Sequence, residues 1–97
     1  MPEPNIELAG FREIDSSSME ILNKNINTHA RRIADLAKHI HRIHITLKHV
    51  HKREKSEKYE THAKVTINGK VYASKVTDRN LFAAVDKALE KITNEVD

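Results

Sequence analysis

Ala63-Lys64-Val65-Thr66-Ile67-Asn68-Gly69-Lys70-Val71-Tyr72-Ala73-Ser74-Lys75-Val76 decides the fold. Ala63, Val65 and Ile67 alternate with Lys64 and Thr66, the period of a strand with one dry and one wet face. Asn68 and Gly69 tolerate the positive φ angles of a two-residue type I′ turn. That turn pairs Ile67 with Lys70, Val65 with Tyr72 and Ala63 with Ser74. Tyr72 and Val76 then join the buried face, while Val71, Ala73 and Lys75 lie outside. Lys70 is expected to bend away at the hairpin tip.

Upstream, Ile43, Ile45 and Leu47 alternate with His44, Thr46 and Lys48, a second strand with a wet basic face. Residues 51–60 have no apolar period and are predicted to form a mobile basic loop. Earlier still, Met19, Leu22, Ile26, Ile33, Leu36, Ala37 and Ile40 recur at three and four, with His29 and Ala30 filling the gap. This predicts one long amphipathic helix ending near His41. Ser16, Ser17 and Ser18 offer N-caps, with Glu20 three after Ser17 in capping-box spacing. Ile6 and Leu8 predict a short strand ending at Gly10.

Downstream, Thr77 or Asp78 is expected to cap a helix striped by Leu81, Phe82, Val85, Leu89, Ile92 and Val96. The order is β-α-β-β-β-α. One four-stranded, antiparallel-rich sheet with both helices on one face satisfies every apolar stripe, an α+β fold in a single domain over residues 1–97. The other sheet face is left exposed, bearing His44, Thr46, Lys48, His62, Lys64, Thr66, Ala73 and Lys75.

The 97 residues have no cysteine, which excludes disulfide staples, thiol catalysis and Cys-ligated metals. No apolar run reaches membrane-spanning length, and Met1-Pro2-Glu3-Pro4 has neither part of a signal peptide. The chain is expected to be cytoplasmic. Its formal charge is only +3, yet the distribution is uneven. Residues 23–85 hold 14 bases and five acids, while both ends are acidic. Such a middle is a candidate footprint for a polyanion.

Seven histidines invite a metal reading, through His39-x-His41-x-x-His44 and His49-x-His51. With His39 and His41 at a helix end and His44 on a strand, no shared centre follows, and no metal or other cofactor is expected. Catalysis is not expected either. The serines read as caps, Asp78 and Glu90 lie beside solvent, and Asp86 reads as a neutralising partner for a neighbouring base. His29 reads as a half-buried member of the helix stripe.

The bases gain meaning from their positions. On the first predicted helix Lys24, Thr28, Arg31, Asp35, Lys38 and Arg42 follow at three and four, with Arg32 alongside. On the second, Lys87 and Lys91 are four apart and Arg79 sits at the start. Packed together, the helices are expected to present these bases to phosphates across the groove between them. Lys48, Lys64 and Lys75 form a secondary basic surface on the sheet. With few exposed aromatic rings, structured RNA read by shape and backbone fits better than single strands.

Three segments also carry a family resemblance. They are Ile45-Thr46-Leu47-Lys48, then Ala63-Lys64-Val65-Thr66-Ile67-Asn68-Gly69, then Asp78-Arg79-Asn80-Leu81-Phe82-Ala83-Ala84-Val85-Asp86-Lys87. In that order the chain resembles the ribosome hibernation factors, also described as sigma-54 modulation proteins, in their short form. The resemblance implies a topology similar to double-stranded-RNA-binding domains. It also implies a non-catalytic protein that binds the small subunit and the 70S ribosome through ribosomal RNA near the decoding centre, silencing idle ribosomes. By position Lys87 and Lys91 match RNA-facing bases of the family's second helix, and Lys24, Arg31 and Arg32 fall where its first helix is basic. The chain has neither the basic tail of some short members nor the dimerising domain of long ones, so it is not expected to pair ribosomes by itself. It is expected to be monomeric when free. A general structured-RNA-binding domain and a non-catalytic protein-interaction module are the alternatives, and no membrane or small-molecule substrate is expected.

Overall fold

A computed structural model describes residues 5–37, 39–52 and 56–96. The elements run β1 (Asn5–Ala9), α1 (Ser16–Leu36), β2 (Ile40–Lys52), β3 (Ser56–Ile67), β4 (Lys70–Asp78) and α2 (Leu81–Val96). The sheet order is β1-β2-β3-β4, with β1 parallel to β2 and the other pairs antiparallel. The α+β class and the β-α-β-β-β-α order are as the sequence predicts.

Register follows from the turn. Asn68 and Gly69 have φ of 50° and 81°. Ile67 pairs with Lys70, Val65 with Tyr72 and Ala63 with Ser74. Lys70 does not bend away; its ammonium lies 4.9 Å from the centre of the Tyr72 ring. Strand alternation then puts Ile43, Ile45, Leu47, Ala63, Val65 and Ile67 on the buried face. Leu22, Ile26 and Ile33 of α1 and Val85, Leu89 and Ile92 of α2 pack against them. Phe11, at 8 % exposure, belongs to the same core. Among the described residues no helix is long and apolar enough to cross a membrane.

The structure corrects the sequence at four further places. α1 stops at Leu36 rather than near His41: Ala37 is extended at φ −129°, ψ 117°, and its N–H closes the last turn on the Ile33 carbonyl. The residues from Ile40 onward pair instead with Ile67, Thr66 and Val65. A sheet ladder pairs the backbone from Arg42 onward, and β-branched isoleucines favour it over another helical turn. His41 lies at the register shift between Ile40 and Arg42.

The predicted loop over 51–60 is the second correction. β2 continues to Lys52 and β3 begins at Ser56, in register from Val50–Lys58 to Lys52–Ser56. Residues 53–55 lie outside the described residues. His49 and Tyr59 stack across the pair with centroids 4.8 Å apart, a cross-strand contact that helps to hold the extended hairpin.

Both caps differ as well. Asp15 caps α1, its carboxylate accepting from the Ser18 N–H at 3.1 Å, so the three serines form the first turn. Hydrogen bonding from the Ser18 hydroxyl, and then from its N–H, holds the Asp15 carboxyl below the usual range. Asn80 caps α2 by accepting from the Ala83 N–H at 3.0 Å. Asp78 accepts from the Asn80 N–H at 2.9 Å and so shapes the turn before the helix.

Candidate nucleic-acid interface

The bases named from sequence fall on two surfaces, and the helical one differs from its prediction. With 100° per residue, Lys24, Thr28, Arg31 and Asp35 lie opposite the buried Ile26 and Ile33, pointing straight out from α1. Arg32 is exposed on the flank nearer α2. Lys38 lies outside the described residues. Arg42 leaves the helix altogether and stands on β2, where its Nη2 donates to Glu7 Oε2 of β1 at 2.5 Å. This guanidinium holds the Glu7 carboxyl below its ordinary value.

Nor do the α2 lysines face α1 across a shared groove. Asp86 does: the His29 Nε2–H donates to Asp86 Oδ1 at 2.5 Å. One helical step turns Lys87 about 100° further round, away from α1. Its Nζ donates to Asp78 Oδ2 at 2.8 Å, which lowers the Asp78 pKa and raises that of Lys87. Lys87 and Lys91 line a shallow depression with Val76, Thr77, Glu90 and Asn94 on the β4 flank. Arg79 is exposed just before the α2 cap.

The sheet's open face gathers its residues in rows set by register. Arg42 stands beside Thr66 and Val71; Glu7, His44, Lys64 and Ala73 make the next row. Thr46, His62 and Lys75 follow, then Lys48, Glu60 and Thr77. A depression on this face is lined by His44, Thr46, Lys48, His62 and Lys64. Glu60 accepts from Lys75 Nζ at 2.9 Å and lies 3.4 Å from His62 Nε2. The Lys75 ammonium is the main cause of the lowered Glu60 pKa.

The structure therefore brings Lys48, Lys64 and Lys75 to one face, as the alternation predicts, and adds Arg42 to them. The sequence reading gave no role to Glu7 and Glu60, the carboxylates interleaved with these bases, or to the His29–Asp86 contact in particular. Strand register is the signal that finds Glu60, once residues 56–60 are read as strand. Among the described residues no three His, Asp or Glu side chains converge as a metal site. His44 and His62 lie on the open face and His49 on the opposite one, because alternation separates them.

Comparison with solved structures finds the same fold. The N-terminal domain of protein Y from Thermus thermophilus is 17% identical, with a TM-score of 0.69 over 98% of this chain and 96% of that one. A ribosomal subunit interface protein from Coxiella burnetii is also 17% identical, with a TM-score of 0.63 over 96% and 91% of the two chains. No curated protein sequence matches significantly. Residues 13–97 match the family described as sigma 54 modulation protein / S30EA ribosomal protein, and the chain belongs to that family.

Proposed function

We propose that this protein binds the small ribosomal subunit, and the 70S ribosome that contains it, through ribosomal RNA near the decoding centre. There it blocks messenger and transfer RNA and silences idle ribosomes in the cytoplasm, with no catalytic step, cofactor or small-molecule substrate. The observation that carries this reading is the family match over residues 13–97. The relative from Coxiella burnetii, described as a ribosomal subunit interface protein, supports it. Phosphate contacts are assigned to Lys24, Arg31, Arg32, Arg79, Lys87 and Lys91 on the helical side. Arg42, Lys48, Lys64 and Lys75 supply them on the sheet side, and Lys38 keeps the role its sequence position suggests.

Exposed bases on both faces favour a second reading, a domain that accepts structured RNA in general. Co-sedimentation with 30S subunits, 50S subunits and 70S ribosomes on sucrose gradients separates the two. Saturable comigration with 30S and 70S but not 50S is expected, with weak binding to free duplex RNA. Equal affinity for free duplex would favour the general reading. No comigration at physiological salt would sink the ribosomal one.

A further inference from the structure

We propose that the open face of the sheet, and not the helical layer, makes the principal contacts to RNA phosphates; the assignment rests on the ribosomal-RNA reading above. Charge by face is the first ground. α1 holds three bases and two acids, and α2 holds two bases and three acids, so the two helices sum to zero and Arg79 before α2 brings the helical side only to +1. The open sheet face carries five bases, Arg42, Lys48, Lys58, Lys64 and Lys75, against Glu7 and Glu60. A polyanion is drawn to the face with the surplus.

Geometry is the second ground. Arg42 pairs with Thr66, two residues from Lys64; Lys64 pairs with Ala73, two residues from Lys75. Arg42, Lys64 and Lys75 thus make a straight diagonal over three adjacent strands, with equal steps of about 7–8 Å. That step is comparable with the spacing of neighbouring phosphates on one strand. Lys64, in the middle, is exposed and has no ion-pair partner among the described residues. Beside it the depression lined by His44, Thr46, Lys48, His62 and Lys64 adds a hydroxyl, imidazoles and a further ammonium as donors.

The two ends of the diagonal are held by carboxylates, Arg42 by Glu7 and Lys75 by Glu60. Both cations are exposed, and ion pairs at a surface are weak, so a phosphate can take the carboxylate's place. Rigid strands fix the cations beforehand, which limits the entropy lost on binding. The helical bases lack such an array. Lys87 is engaged by Asp78, and Asp35 ends the row of Lys24 and Arg31 with an opposite charge.

The test compares two triple variants of the full chain, Lys48→Gln/Lys64→Gln/Lys75→Gln and Lys24→Gln/Arg31→Gln/Lys91→Gln. Each is titrated against 30S subunits and against protein-free small-subunit RNA, over a range of salt. Equal thermal stability to the unmodified chain confirms folding, since all six positions are exposed. The sheet variant should lose at least about tenfold in affinity for both targets, with a salt slope shallower by about two. The helix variant should also lose affinity, but only about three- to fivefold, because its bases make the minor share of the phosphate contacts. Glu60→Gln should bind more tightly than the unmodified chain.

A larger loss in the helix variant would overturn this assignment and leave the ribosomal reading standing. Loss of 30S binding with RNA binding intact in the sheet variant would assign the face to a ribosomal protein instead, also overturning it. Failure of the unmodified chain to bind 30S would overturn the ribosomal reading itself and the assignment with it.

Discussion

His29 of α1 and Asp86 of α2 meet between the helices, Nε2 to Oδ1 at 2.5 Å. The contact is lopsided in burial. The His29 side chain is 9% exposed and that of Asp86 49%. A carboxylate only accepts, so the proton of this bond sits on Nε2. The pair also sets the rotation of α2, because fixing Asp86 towards α1 commits Lys87 to the opposite flank, beside Asp78.

Replacing Asp86 with Ala should therefore cost about 1 kcal/mol. A hydrogen bond to a charged group contributes about 1.5–3 kcal/mol, and the half-exposed carboxylate reduces that. In a domain of this size the melting temperature should fall by roughly 4–8 °C. His29→Ala should cost more, since it also empties buried volume. Thermal unfolding of both single variants and the double variant measures the coupling. Strict additivity would show that the two residues do not stabilise each other.

The Asp78–Lys87 pair predicts a pH dependence whose sign is fixed by its shifts. Asp78 has a folded pKa below its ordinary 3.8, so its contribution is present above that value and is lost as pH falls through the folded one. Lys87 has a folded pKa above its ordinary 10.5, so its contribution is complete below that value and is lost as pH rises through the folded one. Between these limits the pair should be insensitive to pH. Lys87 is exposed and Asp78 half-buried at the surface, so the effect is small and best read site by site. In a carboxyl NMR titration, Lys87→Gln should move the Asp78 midpoint up. An unmoved midpoint would assign the depression to the backbone N–H groups of Asn80 and Arg79.

How far the sequence reveals this molecule depends on how local the deciding forces are. The Asn68-Gly69 turn fixes its own φ angles, so the pairing from Ile67–Lys70 to Ala63–Ser74 follows from a few residues. The end of α1 is not local. Leu36, Ala37 and Ile40 keep a helical period and no glycine or proline intervenes, yet ladder bonds to β3 take the chain from Ile40 onward. That competition moves Arg42 from the helix to the sheet. Residues 56–60 are illegible for a similar reason, since they are mostly polar and owe their strand to pairing with β2, joined by β4 only at Tyr59 and Glu60. The lysines of the open face are visible in strand alternation. The carboxylates that pair with them appear only when register is known.

Two glycines with positive φ should respond differently to substitution. At Gly10, φ 84°, a Cβ would lie 2.0 Å from the Leu47 carbonyl oxygen, where the chain leaving β1 passes close to β2. Gly10→Ala therefore combines a left-handed conformation, costing about 1–2 kcal/mol, with a backbone clash that cannot be relieved by rotating a side chain. A loss of about 3 kcal/mol or more in urea unfolding is expected. At Gly69, φ 81°, nothing lies within 4 Å of the added Cβ. Gly69→Ala should show only the conformational cost of about 1–2 kcal/mol. Equal losses at the two sites would mean that the close approach to Leu47 relaxes freely.

Thr61 offers a substitution that should improve the fold. It is fully buried on β3, paired with Leu47 on one side and Val76 on the other, and its Oγ1 has no partner among the described residues. Threonine's β-branched shape suits the strand, but an unpaired buried hydroxyl costs about 1–3 kcal/mol. Thr61→Val keeps the shape and removes the hydroxyl, so stability should rise by about 1 kcal/mol. Thr61→Ser does the reverse, keeping the hydroxyl and deleting a buried methyl, and should lose about 1 kcal/mol. Urea unfolding of both variants separates shape from polarity. If valine destabilises while serine is neutral, the hydroxyl is being satisfied, and a buried water held between Thr61 and the neighbouring backbone becomes the simplest account.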